Sequence, residues 1–117
     1  VFGVSYLQLQ ELKDNTIDFC SIDTDHNYYC LRQELDQLKK KLSSKGIVVI
    51  HDTESYRTNS GHMGHYNCGV MYPAEIIENE VLGKMYGDAI DEILNSGDFM
   101  IIKENKESCG AIALRKI

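Results

Sequence analysis

The sequence has one proline, no tryptophan and no apolar run approaching the length of a membrane-crossing helix. The last absence excludes a helical span, which needs roughly 18 such residues or more, and no membrane partner is expected. Bases are scarce too: 12 lysines and arginines face 18 acids, for a formal charge of -6. A chain that grips nucleic acid by its phosphates needs a basic face, so nucleic acid is not an expected partner. Four cysteines are present without a CxxC pair, and Cys20, Cys30, Cys68 and Cys109 are too scattered for a disulfide framework. Free thiols in a reducing, cytoplasmic setting are the expectation. The first ten residues, VFGVSYLQLQ, lack both the basic start of a signal peptide and an initiator methionine.

What remains is an ordinary folding composition, 43% apolar and 26% charged over 117 residues. That length suits one small domain, so residues 1–117 are read as a single unit. SYLQLQELK, from Ser5, reads as a short helix capped by that serine, with Asp14-Asn15 as its exit turn. Residues 17–23 are an apolar run with β-formers, a strand. Between Asn27 and Ser43 the period changes: Leu31, Leu35, Leu38 and Leu42 make one stripe along a helix. Lys39, Lys40 and Lys41 suit its carboxyl end as a solvated terminus, and Gly46 follows as a stop. Ile47-Val48-Val49-Ile50 is continuously apolar, the pattern of a parallel strand covered on both faces. Strand, helix and strand with short links make a right-handed βαβ unit.

Residues 53–73 are polar and glycine-bearing without a period, and are read as a lid-like loop. Its Tyr56, Tyr66 and Tyr72 are candidate substrate-facing aromatics. His62, His65 and Cys68 are too few for a convincing soft-metal site. A helix is expected from Ala74, another over DAIDEIL, then strands FMIIKENK and GAIALRKI joined by a turn at Glu107 to Gly110. So short a link makes these last strands antiparallel. The order describes an α/β fold, half of a doubly wound sheet that closes on an antiparallel hairpin.

Two of these strands end on acid and imidazole. IDFCSIDTDH brings Asp23, Asp25 and His26 to the end of the first, and GIVVIHD brings His51 and Asp52 to the end of the second. Open parallel sheets bind ligands outside the carboxyl ends of their strands, and neighbouring strands lie about 5 Å apart. The five side chains then face one crevice, where they would hold a divalent cation or supply a general base. Individually, Asp25 is equally an N-cap for the next helix and Asp52 an ordinary turn residue.

The stretch from Ile17 to Thr53 resembles class I S-adenosylmethionine-dependent methyltransferases of the group reading, loosely, "fDfvfIDgDHsYe…LkpGGiivlHDt". The matching positions are Asp18, Ile22-Asp23, Asp25-His26, Tyr28, Leu35-Asp36, Leu42, Gly46 and His51-Asp52. VFGVS resembles the "GdS" after the third strand of that family, with Val4 in place of the acid, and Gly69-Val70 resembles a "GV" beyond the lid. The resemblance implies a Rossmann-like methyltransferase sheet, S-adenosylmethionine as cofactor and O-methyl transfer to a small hydroxylated acceptor. It implies cofactor contacts at Ser5 and Asp23, and His26 or His51 as catalytic base. It also implies magnesium or another divalent cation on Asp23, Asp52 and His51, with Thr53 beside them.

The family's glycine-rich cofactor loop and first two strands have no counterpart in residues 1–16. The chain therefore reads as the C-terminal half of such an enzyme, completed by a missing N-terminal half or by association as a homo-oligomer. Two alternatives stay open: a DxD metal-dependent glycosyltransferase, and a truncated, non-catalytic methyltransferase relative. A haloacid-dehalogenase phosphatase and a receiver domain fit less well, because each needs its acids near a first strand.

Overall fold

A computed structural model of the chain describes residues 5–24, 28–54, 84 and 86–117. Helix α1 spans Ser5–Gln10 and leads by a turn to strand β1, Ile17–Ile22. Asn15 makes that turn in the left-handed conformation, at φ 61°. Helix α2 follows over Tyr28–Lys41 and runs straight into strand β2, Leu42–His51. Then come helix α3, Tyr86–Asn95, and strands β3, Phe99–Asn105, and β4, Ala111–Lys116.

The leucine stripe explains α2. Leu31, Leu35, Leu38 and Leu42 are all fully buried, each contributing on the order of 1.5–3 kcal/mol of burial. Amides of the α1–β1 link satisfy its last carbonyls, Asn15 N–H on Lys40 O at 3.0 Å and Thr16 N–H on Lys41 O at 2.9 Å. The three lysines at this end are not alike. Lys39 pairs with Asp98 at 3.0 Å, whereas Lys41 is buried and donates to Asp14 Oδ1 and to Leu12 O, both at 2.7 Å. The solvated-terminus reading therefore fails for Lys41, which ties α2 to the exit of α1.

Gly46 does not stop the helix; α2 has already ended at Lys41. Pairing of β1 with β2 jumps from Ile17↔Leu42 to Phe19↔Ile47, so β2 bulges there. A Cβ on Gly46 would stand 2.9 Å from both Ile17 O and Leu42 Cβ, closer than real side chains come. Ser43 seals the bulge by donating to Asp18 Oδ1 at 2.7 Å.

The sheet order is β1-β2-β4-β3, with β1 and β2 parallel. β4 is antiparallel to both β2 and β3, so β1, β2 and β3 point one way and β4 alone is reversed. The expected hairpin is present, but its second strand doubles back inside the sheet and leaves β3 at the edge. Its turn is built by Gly110 N–H on Glu107 O at 3.0 Å and Glu107 N–H on Asn105 Oδ1 at 2.8 Å.

Alternation sorts the faces. Cys20 and Ile22 pair with Val48 and Ile50, which pair in turn with Leu114 and Ile112. These side chains form one core with the leucines of α2 and with Ala89, Ile90 and Ile93 of α3. Helices α1, α2 and α3 thus cover the same face, α2 in the middle. On the other face Ile47 and Val49 are half-buried and Phe19 is 62% exposed. The expectation that β2 is covered on both faces holds for one face among the described residues. Edge strand β1, with Phe19 and Ser21 exposed, has no neighbour on its outer side among those residues.

Tyr6 of α1 meets Tyr29 of α2 edge-on, ring centroids 6.0 Å apart, which docks the short helix. Burial first, then Tyr29, push the Tyr6 phenol up to about 12. Between α2 and α3, Tyr28 Oη donates to Glu92 at 2.6 Å, and Lys84 lies 4.7 Å over the Tyr28 ring. No helix among the described residues is long and apolar enough to cross a membrane. Cys20, Cys30 and Cys109 form no disulfide among the described residues; Cys68 lies outside them.

Candidate functional site at the carboxyl ends of β1 and β2

Because Ile22 pairs with Ile50 in parallel register, the next residues, Asp23 and His51, leave the sheet side by side. His51 continues the alternation of Ile47 and Val49, so its ring lies on the face away from the helices. There Nε2 lies 2.8 Å from the Ser21 hydroxyl of β1. Ser21 is exposed and His51 half-buried, so this pair is reachable from solvent.

Asp52 follows in the left-handed region at φ 59°. A non-glycine residue there costs roughly 1–2 kcal/mol, and such outliers gather where structure fixes a side chain for use. Two backbone hydrogen bonds to the β3–β4 turn hold it: Asp52 N–H on Gly110 O and Glu54 N–H on Cys109 O, both 2.9 Å. Gly110 permits this contact. At φ 81° its added Cβ would lie 2.6 Å from Glu54 Cγ and 2.7 Å from Glu54 N. Between these anchors Thr53 is fully buried, and its hydroxyl has no hydrogen-bond partner among the described residues.

Tyr86, first residue of α3, comes to this end of the sheet from the helix side. It is 2% exposed, and its hydroxyl donates to the His51 carbonyl at 3.0 Å. Burial, followed by the negative charges of Glu34, Asp52 and Asp23, drives its phenol far above the ordinary tyrosine range. Tyr86 therefore stays protonated and remains a donor.

A second polar group lies between α1, α2 and β1. Glu34 is 1% exposed and accepts hydrogen bonds from Ser5 Oγ and from Thr24 Oγ1 at 2.5 Å, with the Cys30 thiol at 3.5 Å. These partners offset much of the cost of burying a carboxylate. The same Glu34 and Ser5 line a pocket of roughly 320 Å³ beside β1. Leu9, Leu12 and Ile22 give it apolar walls, and Gln8, Ser21 and Thr24 add polar atoms. The flanks of Asp23, Ile22 and Thr24, thus both face the pocket.

The structure brings Ser5, Asp23, His51, Asp52 and Thr53 to one end of β1 and β2, in two adjoining groups. Asp25 and His26 lie outside the described residues, as do His62, His65, Tyr56, Tyr66, Tyr72 and the helix expected from Ala74. The loop proposed for 53–73 also lies there beyond Glu54, and Thr53 and Glu54 themselves are helical. Among the described residues no three His, Cys, Asp or Glu side chains gather closely enough to hold a metal ion. Asp23, Asp52 and His51 do not assemble as the donor set that a cation needs.

Ser21, Glu34, Tyr86 and Gly110 were not evident as site residues from the sequence. Glu34 did carry a signal, because a carboxylate three residues after Leu31 and four before Leu38 sits in the apolar stripe itself. Ser21 carried one as well, a hydroxyl two residues before the strand-ending acid. Nothing local marked Tyr86, whose role depends on how α3 packs.

Residues 1–53, just under half of the chain, match the family model of a methyltransferase domain. The matched segment runs from the start of the chain through β2 and ends at Thr53. It supports a methyltransferase domain. No curated protein matches the chain.

Proposed function

We propose that this chain is the acceptor-side half of an S-adenosylmethionine-dependent O-methyltransferase acting on a small hydroxylated molecule. The observation that carries the proposal is that Asp23, His51 and Asp52 follow the last paired residues of two adjacent parallel strands, inside the segment that matches a methyltransferase domain. The fold is read as the Rossmann-like methyltransferase sheet, with β1, β2, β3 and the inserted β4 as its C-terminal portion. A missing N-terminal half would continue the sheet from the outer edge of β1, where Phe19 is exposed; association of two copies is the alternative completion.

The bound cofactor supplies a methyl group on a positively charged sulfur. Of the residues that would hold it, Ser5 and Glu34 line the α1–β1 pocket, and Asp23 stands between two of its lining residues, Ile22 and Thr24. A purine ring fits this pocket in kind, needing flat apolar walls and hydrogen-bond partners at one edge. The remainder of the cofactor site falls to the missing half.

The acceptor hydroxyl requires alignment and loss of its proton. His51 is the base in this reading: it is half-buried, solvent-reachable and held at the strand end. Tyr86 fixes the His51 backbone through its carbonyl. His26 is the second candidate base. Proton removal is read as metal-free, the alternative that the sequence offered beside a cation-held acceptor.

Methyl transfer from labelled S-adenosylmethionine to a panel of catechols, sugars and phenolic metabolites, using the full-length gene product, tests this. Transfer that falls at least 100-fold in His51→Gln, with magnesium and EDTA giving equal rates, is the expected result. Full activity in His51→Gln would remove His51 from the chemistry, and strict dependence on magnesium would restore the cation.

A further inference from the structure

We infer that Ser21 is the positioning residue of the His51 base, a role that rests on the reading of His51 given above. The two side chains come from neighbouring strands. Ser21 pairs with Val49 in the parallel register, and His51 is the next residue of β2 on that face. Their hydrogen bond, 2.8 Å between Oγ and Nε2, therefore bridges the strands diagonally across the open face of the sheet.

An imidazole turns about two side-chain bonds and exists as two neutral tautomers, so a useful base must have both fixed. Backbone contacts do not do this. The Tyr86 hydroxyl grips the His51 carbonyl and leaves the ring alone. Among the described residues Ser21 is the group that addresses the ring, and it takes Nε2, leaving Nδ1 for the acceptor. For Nδ1 to carry the lone pair, Nε2 must carry the proton and donate it to the Ser21 oxygen. The serine then stabilises the tautomer in which the base is ready, as a carboxylate or carbonyl behind a histidine does elsewhere.

Ser21 itself is no candidate nucleophile in this arrangement. With Nε2–H donating to it, its oxygen lies opposite the proton-donating edge of the ring rather than a lone pair that would deprotonate it. Its function is orientation. The hydroxyl is small, and in a strand a threonine presents the same oxygen, with a β-branched side chain that suits the backbone.

The experiment compares the full-length protein with Ser21→Ala and Ser21→Thr. Long-range ¹H–¹⁵N NMR of the His51 ring, at a pH where the imidazole is neutral, reads the tautomer directly. The expected wild-type spectrum is a single Nε2–H form, lost to a mixture in the alanine variant and restored by threonine. In parallel, kcat should fall about tenfold in Ser21→Ala with KM within twofold, the size expected when one hydrogen bond of ordinary strength is removed, and should recover in Ser21→Thr. Identical ring spectra in wild type and Ser21→Ala would overturn the inference, whatever the protein catalyses. A changed tautomer with unchanged kcat would overturn the catalytic role of the bond. Absence of methyl transfer from wild type would instead refute the function proposed above, with the ring spectra still deciding whether Ser21 positions His51.

Discussion

Replacing Gly110 with alanine strikes the contact that holds the end of β2 in place, and Gly97 provides a matched control. Both glycines sit at φ 81°, so each alanine variant bears the same left-handed penalty of roughly 1–2 kcal/mol, softened by the reduced freedom of its unfolded chain. Their surroundings differ. Nothing lies within 4 Å of a Cβ on Gly97, whereas on Gly110 it would meet Glu54 N at 2.7 Å and Glu54 Cβ at 2.9 Å. The amide it strikes is bonded to Cys109 O, and the Gly110 carbonyl receives Asp52 N–H. Relief therefore requires parting β2 from the turn, with an overpacking cost of about 1–3 kcal/mol. Gly110→Ala should lose about 2–4 kcal/mol in total and Gly97→Ala about 1 kcal/mol. Urea unfolding followed by circular dichroism measures both, and the midpoint should fall with little change in slope. Equal destabilisation of the two variants, within about 0.5 kcal/mol, would refute the close approach and with it the account of how Asp52 is held.

Leu35→Ala, at a fully buried site in the α2 stripe, should cost about 2–5 kcal/mol, read from the same unfolding curves; a loss under 1 kcal/mol would contradict the packing described. At Asp52 the left-handed backbone sets an order of stability: Asn close to wild type, Gly equal or higher, and Ala lower by about 1 kcal/mol. An alanine variant as stable as glycine would show that the conformation is not retained. Asp14 has its carboxyl held below the ordinary range by the Lys41 ammonium, through their hydrogen bond and charge. Its folded pKa is thus below the unfolded one, so the pair's contribution is complete above the unfolded pKa and is lost as pH falls through the folded value. Asp14→Asn should destabilise at pH 7, and its difference from wild type should vanish at acid pH; a difference that persists at about pH 2 would contradict the pairing.

The parts of this fold that follow from a repeating pattern could be read directly. The leucine stripe gave α2, the apolar run Ile47 to Ile50 gave the body of β2, and the close spacing of the last two strands gave their antiparallel pairing. Features set by one contact between distant segments could not. That β4 inserts between β2 and β3 depends on the pairing Val48↔Leu114 and its neighbours, which no local period encodes. Lys41 looked like its solvated neighbours, yet it points back to Asp14 and Leu12. The site divides in the same way. Asp23, His51 and Asp52 were visible because acid and imidazole interrupt apolar strands. Tyr86 was hidden because its hydroxyl reaches the His51 carbonyl only through the docking of α3, and Gly110 because its importance lies in the residue it touches.

The central claim is that the crevice at β1 and β2 belongs to a protein that binds S-adenosylmethionine. Calorimetric titration of the full-length gene product with S-adenosylhomocysteine tests it most directly, alongside Glu34→Leu, which removes the carboxylate facing the pocket, with circular dichroism to verify that the variant is folded. The account predicts saturable one-to-one binding by wild type and at least tenfold weaker binding by folded Glu34→Leu. A folded wild-type protein that gives no binding heat across a range of temperatures would contradict it.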